Sequence, residues 1–281
     1  MASAAEAPPA APQPVKRLPR PVLLVAGGRS KPFGLKALAE LLTAGGANRF
    51  GGVFNVARQG EFAAGFRAAA PSDAQWVFTL ERSRPFAPFG HDAAELGEAL
   101  RALSELTGSR LDCVAESKAA VEARLYLLDG GDRIAHLVLL SPVVGGLPIQ
   151  GEAAWLGAKL LPLAEETRKT LEGWATDVKL GPWVWNRELR RLNLPANRAL
   201  ARSRLARLTV VAGAGHDLFA GRGRPGLPLP WWRGDGSAPL AHTLRLGADA
   251  TMTFEGEGTL HGELLTHPEA LRAVADALGN Y

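Results

Sequence analysis

Apolar positions along the chain follow two rhythms. Short, mostly apolar runs occur at 21–25 (PVLLV), 76–80 (WVFTL), 111–114 (LDCV), 135–140 (AHLVLL) and 208–212 (LTVVA). Runs of that length and composition predict strands buried on both faces. Weaker strand patterns lie at 53–56 and 251–254. Between them the spacing changes to that of helices with one apolar stripe, over 35–42, 93–106, 118–128 and 268–278. The third of these carries Val121, Leu125 and Leu128 on one side, and the last carries Leu271, Val274, Ala275 and Leu278. Strands that alternate with helices predict an α/β fold, a mostly parallel central sheet with helices on both faces. Ligands then belong at the carboxyl ends of the strands.

Two segments break the alternation. Residues 1–20, MASAAEAPPAAPQPVKRLPR, are rich in Ala and Pro and read as a disordered arm, so the ordered domain is expected to span 21–281. Those residues show neither a charged start nor an apolar segment of signal-peptide length, which implies a cytoplasmic location, or a secreted one if a leader has been removed. The second segment, about 145–207, is long for a connection and is read as a helical insertion. It holds Trp155, Trp174, Trp183 and Trp185 among many leucines, and then a run of arginines at 187, 190, 191, 198, 202, 204 and 207. The arginine run reads as a solvated helix face, with attraction to anionic lipid as the alternative.

Composition narrows the class. A chain of 281 residues with 47% hydrophobic residues can bury a sizeable core as one domain. No apolar run approaches the ~20 residues of a membrane-spanning helix. The net charge of +4, from 32 Lys and Arg against 28 Asp and Glu, is spread along the chain and supports no nucleic-acid partner. A lone cysteine, Cys113, excludes an internal disulfide. Together with scattered histidines it offers no zinc spacing, so neither a metal nor another cofactor is expected.

Candidate chemistry centres on Leu111 to Pro148, which reads as strand, sharp turn, helix and strand, with Ser117 at the tip of the turn. A serine there takes a strained backbone conformation and needs small residues two positions away on each side. Ala115 and Ala119 meet that need in Ala-Glu-Ser-Lys-Ala, where the usual pattern has two glycines. The following strand, ending in Ser141-Pro142 and a glycine pair, resembles the segment after the nucleophile helix of bacterial triacylglycerol lipases. Three further segments resemble the same α/β-hydrolases. PVLLVAGG is similar to the strand and glycine turn that help bind an oxyanion, although Ala26 replaces the customary histidine. GDGSAP, 234–239, is similar to the loop that supplies an acid. TLHGELLTHPEAL, at the C-terminus, resembles the ending in which a histidine precedes the final helix.

The resemblance implies an α/β-hydrolase fold with a cap formed by the 145–207 insertion. It implies a serine hydrolase of carboxylic esters, lipase- or esterase-like, with Ser117 as nucleophile, His261 as base and Asp235 as acid. Asp217, in VVAGAGHDLF, competes for the acid role because it follows the strand 208–212 by a few residues. His267 is assigned to the start of the final helix. The oxyanion would be bound by the main-chain N–H groups of Gly28 and Lys118. Trp183 and Trp185 are the candidates for contact with an acyl chain, and the substrate expected is a small-molecule or lipid ester, with peripheral contact to lipid surfaces. Acyl transfer, thioester cleavage and an inactive binding protein remain open on the same residues, as does the oligomeric state.

Overall fold

The structure, a computed structural model, describes residues 14–27, 32–56, 74–83, 87–144, 187–217, 220, 226 and 233–280. Among these residues, seven strands form one sheet: β1 (Val22–Val25), β2 (Asn48–Asn55), β3 (Gln75–Glu81), β4 (Leu111–Glu116), β5 (Ile134–Leu140), β6 (Arg207–Ala214) and β7 (Ala250–Glu255). Their order is β2-β3-β1-β4-β5-β6-β7, and every neighbouring pair is parallel. The helices are α1 (Lys36–Thr43), α2 (Phe89–Thr107), α3 (Ala119–Leu128), α4 (Arg187–Asn193), α5 (Pro195–Ser203), α6 (Leu240–Leu244) and α7 (Pro268–Gly279).

Alternation of side chains across the pleat divides the core in two. Val22, Leu24, Val77, Val114, Val138 and Val211 join the apolar faces of α1 and α7. Leu23, Val25, Phe78, Cys113, Leu137 and Val210 join those of α2 and α3 on the other side. The central strands β1, β4 and β5 are buried along their whole length, which is why they lack a polar face in the sequence. At the edge, β7 alternates half-buried and exposed positions.

Two sequence expectations are revised. The chain is packed well before Pro21, since Val15 and Leu18 are buried against α1 and the Leu18 N–H donates to Asn48 Oδ1 at 2.9 Å. Strand β2 begins at Asn48 and not near Val53, because Asn48 is held by more than its ladder: its Nδ2 donates to the carbonyls of Leu42 and Lys16. A polar, glycine-containing start concealed that part of the strand from an apolar pattern.

Within the 145–207 insertion, only its last part is described. Leu189 and Leu192 of α4 and Ala201 of α5 are buried in the core beside α3, so this part packs against the body of the domain. The described arginines of the run lie on the solvated side, as the sequence suggests, and make surface contacts with the body. Arg191 pairs with Asp129, Arg198 donates to the Arg245 carbonyl, Arg202 pairs with Asp249, and Arg204 donates to the Gly130 carbonyl. Trp155, Trp174, Trp183 and Trp185 lie outside the described residues.

Candidate active site

The parallel sheet brings the carboxyl ends of β1, β4, β6 and β7 to one edge, and the candidate residues lie just beyond those ends. Ser117 follows β4 directly and has φ of +53°, a left-handed conformation that costs a non-glycine residue ~1–2 kcal/mol. The turn is held despite that cost. Its N–H donates to the Leu140 carbonyl at 3.0 Å, and its carbonyl accepts from Ala120 at 3.2 Å and Val143 at 3.4 Å. Ala115 and Ala119 are fully buried, so the space on both flanks admits a methyl group in place of the expected glycines.

Asp235 reaches the same edge through a folded loop. Its Oδ1 accepts the main-chain N–H groups of Ser237 at 2.9 Å and Ala238 at 2.7 Å. Gly234 is required there, since a Cβ would come within 1.9 Å of the Ala238 carbonyl oxygen. The loop is stitched to β6 by paired main-chain bonds between His216 and Gly234. His216 Nε2 also lies 2.8 Å from Thr259 Oγ1, which ties the loop after β6 to the loop after β7. Gly213 lets these loops approach, because a Cβ on it would meet the Thr259 carbonyl oxygen at 2.1 Å.

His261 joins the two. Its Nδ1 is 2.7 Å from Asp235 Oδ2, its Nε2 is 2.8 Å from Ser117 Oγ, and its main-chain N–H donates to the Asp235 carbonyl at 2.9 Å. A carboxylate accepts only, so Nδ1 carries the proton and Nε2 is left to accept from the serine. Burial pushes the His261 pKa down, but the charge and hydrogen bond of Asp235, with a further contribution from Glu116, outweigh it and leave it above the ordinary histidine value. Asp235 moves the other way. Burial would raise its carboxyl, and the His261 charge and three hydrogen bonds hold it below the usual aspartate range.

The two remaining alternatives separate by position. Asp217 makes no hydrogen bond to His261 among the described residues, and its carbonyl accepts from Ala220. His267 caps α7, its Nδ1 accepting from the Ala270 N–H at 3.3 Å. Gly28 lies outside the described residues. Lys118 stands at the N-terminus of α3, immediately after Ser117, where first-turn N–H groups have no partner within their own helix.

The charged side chains around Ser117 were not singled out by the sequence pattern. Glu116 is buried, accepts the Gly27 N–H with one oxygen and places the other 3.9 Å from His261 Nε2. The Lys118 ammonium turns away from the site into an ion cluster with Asp92, Glu122 and Arg82. Their sequence signal was available: two charged residues flank Ser117 between an otherwise buried strand and helix. A metal donor set could be sought at His91, Asp92 and Glu95, whose ligand atoms lie within 4.8 Å of one another. Its carboxylates are already taken, Asp92 by Lys118 and Glu95 by Ser83.

No family model and no curated protein matches the sequence. Solved structures do match. The product of the lin2722 gene from Listeria innocua is 17% identical with a TM-score of 0.58, over 93% of this chain and 94% of that one. The mature form of Bacillus licheniformis lipase BlEst2 is 13% identical with a TM-score of 0.60, over 97% and 96%. A monoacylglycerol lipase from Paleococcus ferrophilus is 15% identical with a TM-score of 0.54, over 95% and 96%. Identity this low speaks for the arrangement of elements and leaves the chemistry to the residues themselves. On that arrangement, seven parallel strands with helices on both faces, the chain has the α/β-hydrolase fold.

Proposed function

We propose that the chain is a carboxylic ester hydrolase, lipase- or esterase-like, acting through Ser117, His261 and Asp235. The observation that carries this reading is the continuous hydrogen-bonded chain from Ser117 Oγ through both ring nitrogens of His261 to Asp235 Oδ2. It begins at a serine held with positive φ between a buried strand and a helix. A hydroxyl in that setting is activated by the adjacent base, and the base is oriented by a third group.

The reaction follows from those contacts. Ser117 Oγ attacks the ester carbonyl carbon while His261 Nε2 takes its proton. The carbonyl π pair moves to oxygen, and the oxyanion is met by the Lys118 and Gly28 main-chain N–H groups. On collapse the C–O bond to the alcohol breaks, and the alcohol leaves with the proton from His261. Water then attacks the acyl-enzyme by the same route in reverse, and the carboxylic acid departs. Asp235 remains ionised throughout, fixing the ring and stabilising its charged form.

A fluorophosphonate probe tests the reading directly. The wild-type chain is expected to be labelled at Ser117 and to cleave p-nitrophenyl esters. Ser117→Ala should abolish labelling and lower turnover by ~10³-fold or more while the protein stays folded. A folded Ser117→Ala variant with wild-type turnover would falsify the assignment. Comparing short with long acyl chains addresses the lipase side of the proposal, for which Trp183 and Trp185 remain the candidate contacts. Their replacement by alanine should raise KM for long-chain esters more than for acetates, because remote acyl contacts supply binding energy.

A further inference from the structure

The main-chain segments proposed to bind the oxyanion come from β1 and β4, and the sheet stops holding them together just before they are needed. The last ladder pair between those strands is Val25 with Ala115. Beyond it lie Ala26 and Gly27 on one side and Glu116, Ser117 and Lys118 on the other. Two backbone donors serve one oxyanion only if both come within about 2.7–3.1 Å of it. Some other contact must therefore set their separation.

Besides Glu116, whose side chain accepts the Gly27 N–H, four charged side chains supply it. Arg82, at the end of β3, donates from Nη1 to the Ala26 carbonyl at 2.7 Å and the Gly27 carbonyl at 3.4 Å. From Nη2 it pairs with Glu122 of α3. Glu122 Oε1 lies 3.1 Å from Lys118 Nζ, and the same ammonium pairs with Asp92 of α2 and donates to the Ala87 carbonyl at 2.9 Å. Arg82 Nε closes the ring at 3.8 Å from Asp92 Oδ2. The side chains are almost wholly buried, at 10% exposure for Arg82, 1% for Lys118 and 0% for Asp92 and Glu122. Burying four charges is costly, and apolar residues of similar volume often serve stability as well or better. The cluster does what apolar residues cannot. One end grips the carbonyls of the β1 turn, and the other anchors the side chain of the residue whose own N–H is proposed to bind the oxyanion.

We propose that the Arg82–Glu122–Lys118–Asp92 cluster is a positioning device for the oxyanion-binding site, clamping the Ala26–Gly27 main chain at a set distance from the Lys118 N–H. It rests on the ester-hydrolase reading above. These are positioning residues: none needs to touch the substrate, and all act through the backbone they hold.

The test is steady-state kinetics of Arg82→Lys and Glu122→Gln with a p-nitrophenyl ester, alongside inhibition by a trifluoromethyl ketone that forms an oxyanion on the serine. Arg82→Lys keeps the charge but cannot reach the Ala26 carbonyl and Glu122 together. Glu122→Gln keeps the shape and a hydrogen-bonding group, and it decides the matter if Arg82→Lys does not fold. Expected is a fall in kcat of ~10- to 100-fold with KM within about threefold, and a parallel loss of ketone affinity, since these contacts matter only when the oxyanion forms. Arg20→Lys, in the partly buried pair with Asp112 at the other end of β4, is the control. It should lower the melting temperature without this loss of kcat. Folded cluster variants with wild-type kcat overturn the proposal alone, whereas a wild-type chain that neither cleaves esters nor takes a fluorophosphonate overturns it together with the hydrolase reading.

Discussion

Glu116 holds a second carboxylate against His261: one of its oxygens lies 3.9 Å from His261 Nε2, on the side of the ring away from Asp235. The other accepts the Gly27 N–H. A negative charge there favours the protonated ring, and kcat/KM on the acid side requires the ring to be neutral. Glu116→Gln keeps an acceptor for Gly27 while removing the charge. The acid limb of kcat/KM should move to lower pH, with little change in the plateau. An unmoved limb, measured across the full profile, would show that Glu116 serves the backbone alone.

Asp235 and Asp217 are separated by the same histidine. Asp235 touches Nδ1 at 2.7 Å and Asp217 does not, so Asp235→Asn should cut kcat by ~10⁴-fold through the wrong tautomer, and Asp217→Asn far less. Reversed losses would transfer the acid role to Asp217.

Gly27 has no room for a side chain. A Cβ would come within 2.7 Å of both Glu116 Oε2 and Ser117 Cβ. Glu116 could swing aside, but Ser117 Cβ is fixed by the elbow. Gly27→Ala is expected to lower kcat by ~10²-fold or more, comparable to losing an oxyanion donor, in a protein that still melts cooperatively. Full activity in that variant would mean that the turn can relax away from the elbow.

Ala119 sits fully buried where the elbow enters α3, and β-branched bulk at that point has no open direction. Ala119→Val should abolish turnover, while Ala119→Gly should retain it. Near-normal turnover by the valine variant would argue against a tight elbow.

His136 is expected to contribute to acid sensitivity away from the site. It is buried beside Thr209, with Nε2 2.9 Å from the hydroxyl. Burial, and then the charges of Arg207 and Arg20, lower its pKa from 6.5 to about 4, with Asp249 opposing. The unfolded chain therefore takes up a proton that the folded one refuses as pH falls from about 6.5 to about 4, and stability drops through that window by roughly 3 kcal/mol. Denaturant titrations at several pH values should show the drop in the wild type and a smaller one in His136→Gln. Equal slopes would assign the acid sensitivity to other groups.

How much of this was legible in the sequence depends on the range of the interactions concerned. The strand and helix rhythm was local and strong, so β1, β3, β4, β5 and β6 were found within a few residues of their observed ends. Ser117 was reachable from local geometry, an elbow with small flanks, whereas Asp235 and His261 were reached through the resemblance of their short segments, a Gly-Asp-Gly loop and a histidine before the final helix, to those of α/β-hydrolases. Their meeting was a different matter. Which aspartate reaches His261 depends on loops after β6 and β7 being stitched by His216, Thr259 and Gly213, residues with no pattern to mark them in advance. The packing of Val15 and Leu18 on α1 likewise depends on Asn48, some thirty positions away, and composition pointed the other way. Most distant from any sequence rule is the ion cluster. No local pattern marks Arg82, Asp92, Lys118 and Glu122 as a group, and only the parallel order β3-β1-β4, with α2 and α3 on one face, turns them inward to a common point. Local conformational preference acts over a few residues and is written in the chain, whereas the burial and pairing of a charge is a property of neighbours that the folded topology alone supplies.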